Sequence, residues 1–538
     1  MSRRTVVTSA TLAAAVLAAY SVALGRAPIY LCDAEVLFAL NARSVAATGH
    51  DINGRLLPLY FQVYGNMWFH PVLVYVSAVF LTVLPLAEWT VRLPSVAIGA
   101  VDVVLTYLVA RRILDDERWG VVAGVLLAIT PSHIIHSRLA MDYLYPVPFV
   151  LGWLLALTIY LERRRPWILF VAASILGLGC YSYIASLVMM PLYLAMTLAA
   201  CVRDGDRRRH LAIALAGFVW PLVIIVPWVA LHLDALAATA GRYQLSNLPT
   251  LAVTGASPTA SVSGGVPLST ILQQLRSSTR FSGLTGRLSL YWYFFDPSFL
   301  FLMGGYASII DSTRRVGVFL APFAVFIPVG LYELARRGRV MDWIVVAGFA
   351  TAPLAACLVV PEPYAIDREL ELLPFAAIAA AFGLRRLATA SARWARALAI
   401  GLVALLPLHL AFFIYDYTTD YPLAAAAWFE GNRRGAMEEI IARDARAAVP
   451  AIYLDSAIPY VDAYWKLYLM KHRREDLAAR TVYVTTGELV ARELEPRSLV
   501  MTMHDDKVVA ALAAGGRLHE VAAPPEPGAA PQFGVFER

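Results

Sequence analysis

The 538-residue sequence predicts a polytopic α-helical membrane protein, with about eleven transmembrane helices and a small α/β C-terminal domain outside the membrane. Three observations predict it. Hydrophobic residues make up 59% of the chain and charged residues only 16%, whereas a soluble domain carries about 25% charged residues. Mean hydropathy is +0.62, and a soluble chain of this length could not hide so much apolar surface. The apolar residues also fall in runs close to the ~20 needed to cross a bilayer, with arginines gathered between alternate runs. The same figures exclude disordered, collagen-like and coiled-coil chains.

At the N-terminus, Met1-Ser-Arg-Arg precedes an Ala-rich stretch at 10–24 that ends in Gly25-Arg26 without a small-x-small cleavage site. It reads as an uncleaved first helix. The predicted spans are 5–24, 93–110, 119–135, 146–161, 167–180, 183–201, 211–231, 316–334, 343–360, 371–384 and 395–415. The apolar run at 71–86 is ambiguous, because counting it as a span moves every later loop to the other side. Without it, nineteen arginines between Arg3 and Arg396 fall on the side of the N-terminus, and the short opposite loops hold only Arg138 and Arg368. That bias follows the positive-inside rule, so the N-terminus is placed inside and 71–86 along the outer face as an amphipathic segment.

The net charge of +6 comes from 42 Arg and 3 Lys against 39 acids. This pattern marks cytoplasmic loops, so no nucleic-acid partner is expected. The excess of Arg over Lys and the abundance of Ala point to a GC-rich bacterial genome, and hence to the bacterial cytoplasmic (inner) membrane. Cys32, Cys180, Cys201 and Cys357 lie in or beside apolar stretches without CxxC spacing, which suggests neither a disulfide framework nor a metal site.

The expected domains are a transmembrane domain at 1–415, with outer loops at 25–92 and 232–315, and an extracytoplasmic domain at 416–538. The stretch Thr254-Gly-Ala-Ser-Pro-Thr-Ala-Ser-Val-Ser-Gly-Gly has the composition of a mobile loop. Arg276 and Arg280, with Arg287 beyond, suggest an amphipathic helix at 271–287. In the last domain, Ala451-Ile-Tyr-Leu, Thr481-Val-Tyr-Val and Leu499-Val-Met-Thr-Met read as strands, and Tyr460 to Lys471 as a helix.

Candidate chemistry gathers at the outer ends of spans. Asp33 and Glu35 stand where the chain leaves the first helix. A partly desolvated carboxylate there suits proton abstraction from a hydroxyl, although acids also simply mark the water interface. Arg92 lies at the outer end of the second span, against the prevailing charge bias. It is either a snorkelling side chain or a phosphate ligand. Arg138 and Asp142 share a very short outer loop with His133 and His136, and two histidines alone are a weak metal signal. Asp102, near the middle of the second span, is a functional candidate by position and the best argument for transport; packing against polar neighbours accounts for it equally well.

The order Asp33-x-Glu35, Phe69-His70-Pro71, Glu88-Trp-Thr-Val-Arg92-Leu-Pro-Ser and Ser137-Arg138-(x)3-Asp142 resembles the GT-C glycosyltransferases. The similarity is nearest to the family 39-like group, of protein O-mannosyltransferase and aminoarabinose-transferase type. Phe295-Asp-Pro-Ser-Phe-Leu-Phe-Leu-Met-Gly-Gly and Tyr417-Thr-Thr-Asp420-Tyr-Pro-(x)5-Trp428-Phe also look like bacterial members, and the layout agrees over roughly 1–430.

The resemblance implies a GT-C fold and transfer of a sugar, with inversion, from a polyprenyl-phosphate carrier to an acceptor hydroxyl at the outer leaflet. The acceptor is a lipid, a polysaccharide or a protein. Asp33 matches the family's first acidic position, as base or acceptor-positioning residue, and Asp142 the second. Glu35 stands one residue later than the mannosyltransferases' acidic pair. His70 falls where relatives carry Lys or His before Pro-Pro, but here Pro71 is followed by Val72. By charge and side, Arg92, Arg138 and His70 are the candidates for the donor phosphate.

No GxGxxG opens a helix and no GxxxxGK[ST] occurs, as suits a donor whose tail lies in the bilayer. No cofactor is expected, and ligand spacing supports no divalent-cation site. Two alternatives share the composition: a lipid-linked glycan transporter or flippase, and a ligase that moves a whole glycan. The first predicts polar groups at mid-membrane, whereas most of the candidate acids and arginines sit at span ends.

Overall fold

In the computed structural model the described residues are 2–63, 67–201, 207–233, 235, 288–304, 308–359, 363–426, 428–429, 431–491, 493–513, 519–522 and 531–538. The mobile-loop composition at 254–265 and the predicted helix at 271–287 lie outside them.

Each predicted apolar run contains a helix, although 316–322 of the run 316–334 is not helical. The helices are Arg3–Ser21, Glu88–Ile113, Glu117–Ala128 with Pro131–His136, Val147–Arg163, Pro166–Gly179, Ser186–Cys201, Arg207–Leu231, Phe323–Arg337, Val340–Leu358, Leu372–Ala388 and Arg393–Thr418. Among the described residues, five segments are long and apolar enough to cross a membrane: Glu88–Ile113, Asp142–Arg163, Arg207–Leu231, Val340–Leu358 and Arg393–Thr418. The expectation of eleven spans thus meets a mostly helical chain with five candidate spans of full length. Pro71–Leu81 is an 11-residue helix. At 1.5 Å per residue it is roughly 16 Å long, about half a bilayer's hydrocarbon thickness, so it is too short to cross alone.

The chain forms two compact units. The first comprises Met1–Val22, Leu57–Leu73 and Pro94–Ile414. Its helices approach closely through small residues. A Cβ on Gly330 would lie 1.8 Å from the Ala379 carbonyl oxygen, and one on Gly383 would lie 2.0 Å from that of Phe326. Glycine at both positions lets Phe323–Arg337 and Leu372–Ala388 pack backbone to backbone. The hairpin β1 (Phe61–Val63) and β2 (Met67–Phe69) pairs antiparallel in the same unit.

The second unit comprises Ala23–Leu56, Val74–Leu93 and Tyr415–Arg538. Its sheet contains β3 (Ile452–Asp455), β4 (Thr481–Val484), β5 (Leu499–Met503), β6 (His519–Ala522) and β7 (Phe533–Glu537), in the order β4-β3-β5-β7-β6. β3 runs parallel to β4 and β5, and β7 is antiparallel to β5 and β6. The three predicted strand runs are β3, β4 and β5, and helix Val461–His472 crosses from β3 to β4. Tyr453, Val484, Val500 and Phe536 belong to one buried apolar cluster on this sheet.

The boundary expected at 416 meets a larger unit, because long-range bonds recruit the segments after the first helix. Tyr417 donates its hydroxyl to the Ala27 carbonyl at 3.2 Å, and Tyr464 donates to that of Leu31 at 2.9 Å. Lys471 donates to both Glu88 and Glu438 at 2.8 Å.

Candidate functional site

In the second unit, the helix Asp33–Thr48 begins with two acids. Exposed N–H groups and the helix dipole favour carboxylates there. Glu35 Oε2 accepts the Cys32 N–H at 3.1 Å, and Asp33 Oδ1 accepts the Ala34 N–H at 2.7 Å. The two carboxylates then diverge.

Glu35 is fully buried in a bidentate pair with Arg92, with Nε to Oε1 and Nη2 to Oε2 both at 2.8 Å. Arg92 also donates to the carbonyls of Leu24 at 3.4 Å, Pro28 at 2.5 Å and Tyr30 at 2.5 Å. A guanidinium has five N–H groups, and all five are engaged. The geometry bears on two expectations. In this arrangement all the Arg92 N–H groups are engaged, and both Glu35 oxygens accept from Arg92. Together they fold residues 24–35 around one buried cation, which fixes the start of the helix. Asp33 remains the partly exposed carboxylate at that end. Arg434, which sequence reasoning missed, places its guanidinium 5.0 Å from the centre of the Tyr30 ring and 3.7 Å from Glu88.

The first unit holds the other candidates. Arg138 is buried and donates to the carbonyl oxygens of Tyr20 and, at 2.8 Å, Val22. These belong to the end of the helix Arg3–Ser21, where a cation complements the dipole. Its observed contacts therefore cap a helix rather than mark a phosphate site. His70 is also buried, with Tyr60 edge-on at 5.3 Å, and its Nε2 has no hydrogen-bond partner among the described residues. Burial pushes its imidazole down to about 3. Near neutral pH it can offer a phosphate a hydrogen bond but no charge.

Asp142 is buried at the head of the turn Asp142–Leu144, which packs against the turn Ile366–Arg368. Asp367 lies in that second turn, with Glu369 and Glu371 just after it, and Asp311 lies beside His136; sequence reasoning singled out none of the four. His136 Nδ1 lies 2.7 Å from the Ser132 carbonyl, and its Nε2 lies 3.2 Å from Asp311 Oδ1. A carbonyl can only accept, so Nδ1 carries a proton. The bond to Asp311 then needs a second proton, on Nε2 or on the carboxyl. Neither Glu369 oxygen has a hydrogen-bond partner among the described residues. Burial pushes the Glu369 carboxyl well above the usual range, with Glu371 and Asp367 adding to the rise. Asp367-Arg-Glu369, just before an apolar run, repeats the spacing of Asp33-Ala-Glu35. That signal was available in the sequence.

Asp102 is buried, with Oδ2 3.7 Å from His133 Nε2. At that separation the two are close polar neighbours and not hydrogen-bonded. Tyr20 donates its hydroxyl to the Ala128 carbonyl at 2.7 Å, so His133 Nδ1–H donates to the Tyr20 oxygen at 2.9 Å. Neither Asp102 oxygen has a hydrogen-bond partner among the described residues. Among the described residues, no three His, Cys, Asp or Glu side chains are arranged to hold a metal ion.

Residues 70–230 match the family model described as dolichyl-phosphate-mannose-protein mannosyltransferase. No curated protein matches the chain. Among solved structures, ArnT from Cupriavidus metallidurans bound to undecaprenyl phosphate aligns with a TM-score of 0.56 at 14% identity, covering 100% of this chain and 98% of ArnT. The apo state of ArnT aligns with the same TM-score at 15% identity, over 98% and 97% of the two chains. The archaeal oligosaccharyltransferase AglB from Archaeoglobus fulgidus, in complex with an inhibitory peptide and a dolichol-phosphate, aligns at 15% identity and TM-score 0.46, over 91% and 69%. The fold of this chain is that of the GT-C glycosyltransferases.

Proposed function

We propose, for a chain with the GT-C fold, that it is an integral membrane glycosyltransferase. It moves a sugar from a polyprenyl-phosphate donor to an acceptor hydroxyl at the outer face of a bacterial cytoplasmic membrane. The observation that carries this reading is the division of labour at one helix N-terminus. Glu35 is consumed by Arg92, while Asp33 stays partly exposed on a rigid support. The ArnT structure holds undecaprenyl phosphate, and the family match over 70–230 supports a phosphate-linked donor of the same chemical class.

In the proposed reaction the acceptor oxygen attacks the anomeric carbon and its proton passes to Asp33. The bond from that carbon to the phosphate oxygen breaks, and polyprenyl phosphate leaves with the electron pair. Direct displacement inverts the anomeric centre. Arg434, partly exposed beside Tyr30, replaces Arg92 as the candidate for stabilising the leaving phosphate. The test is the anomeric configuration of the product beside that of a defined polyprenyl-phosphate sugar, with released polyprenyl phosphate measured in parallel. Inversion with one lipid phosphate released per transfer is expected. Retention would overturn the single-displacement mechanism.

A further inference from the structure

We propose that the first compact unit binds the headgroup of an anionic phospholipid, between the starts of the helices Arg3–Ser21 and Glu117–Ala128. This site is independent of the transferase reading. It is a cavity of about 230 Å3 lined by Arg4, Thr8, Glu117, Arg118 and Val121. One water occupies ~30 Å3, so a phosphodiester has room.

The charges around the cavity leave one cation over. Glu117 lies 3.7 Å from Arg4 Nε and accepts the Tyr107 hydroxyl at 3.1 Å. Asp116 is occupied as the helix cap, accepting the Arg118 backbone N–H at 2.8 Å. Arg111 stands behind, donating to the hydroxyls of Thr5 and, at 3.5 Å, Tyr107. The Arg118 guanidinium is exposed and has no hydrogen bond or ion pair among the described residues. Other arginines between helices do have partners: Arg112 with Glu162 at 2.5 Å, Arg339 with Asp115 at 2.5 Å, and Arg386 with Glu333 at 3.0 Å. A guanidinium beside a second one, with the intervening carboxylate already paired, suits a phosphate.

Lipid rather than a free anion is the occupant because the cavity continues into apolar exposed surface. Val121 lines it, and Val125, one turn further along the same face of Glu117–Ala128, is 42% exposed. Acyl chains can lie along that side while the phosphate sits in the cavity. In bilayers an arginine near an anionic leaflet contributes about 1 kcal/mol, so loss of Arg118 should weaken binding about fivefold.

The experiment uses the full chain in detergent, titrated with phosphatidylglycerol, phosphatidylcholine or glycerol phosphate and read by native mass spectrometry and thermal melting. Wild type, Arg118→Gln and Arg163→Gln are compared, the last as an arginine outside the cavity. The proposal expects retained phosphatidylglycerol adducts and a raised melting temperature, weakened about fivefold by Arg118→Gln alone. Three results would overturn it: equal binding of phosphatidylcholine, equal weakening by both variants, or glycerol phosphate protecting as well as the lipid, which would make this a soluble-phosphate site.

Discussion

Asp33 and Glu35 are two residues apart and chemically alike, yet a partner 57 positions after Glu35 separates their roles. The sequence makes the pair of acids visible because both fall where an apolar run ends. It cannot show which of them meets Arg92, since that depends on how residues 24–35 wrap around that side chain. Glu35→Gln should therefore act on folding, because it strands a buried guanidinium. Breaking one side of a buried pair typically costs about 3–5 kcal/mol. Thermal melting in detergent should show that loss; a variant that melts like wild type but transfers no sugar would instead make Glu35 catalytic. Glu369 makes a second prediction at this scale. Its raised carboxyl means that the folded state binds the proton more tightly than the unfolded chain does. The resulting stability is present below the ordinary value of 4.5 and is lost as pH rises above it. Glu369→Gln should remove that loss, melting above wild type at alkaline pH and close to it in acid. Parallel melting curves at all pH values would contradict the assignment.

Among elements, the helices were the most legible part of the chain, since each predicted apolar run contains one. Their lengths were less so. Glu117–Ala128 and Pro131–His136 divide what reads as one run, with Pro131 opening the second helix. Close helix approaches were not legible either, because a glycine in an apolar run carries no sign of what faces it. Gly330 and Gly401 both sit inside helices, but only the first meets a neighbouring backbone; nothing lies within 4 Å of a Cβ on Gly401. Gly330→Ala should lower the melting temperature, because it forces apart the helices Phe323–Arg337 and Leu372–Ala388. Overpacking of this kind costs about 1–3 kcal/mol. Gly401→Ala should be neutral or gain up to about 1 kcal/mol from helix propensity. Equal effects of the two would remove the close approach as the cause.

At the scale of the whole molecule, composition and arginine placement were enough to read a helical membrane chain, and the ordered motifs to read its GT-C resemblance. The division into compact units was not readable, because Tyr417, Tyr464 and Lys471 reach segments some 380 to 430 residues earlier. Arg92 and Arg138 likewise read as phosphate ligands from charge and side, and only their carbonyl partners reveal structural work. The transferase reading therefore rests on the fold together with Asp33. The deciding measurement is sugar transfer in proteoliposomes, from labelled polyprenyl-phosphate sugars to an envelope acceptor, by wild type and Asp33→Asn. Transfer by wild type, with a loss of at least about a hundredfold in a variant that melts normally, is the expected result, on the scale of losing a catalytic base. Equal transfer by both would remove Asp33 from the mechanism, and label crossing the bilayer without transfer would make the protein a transporter.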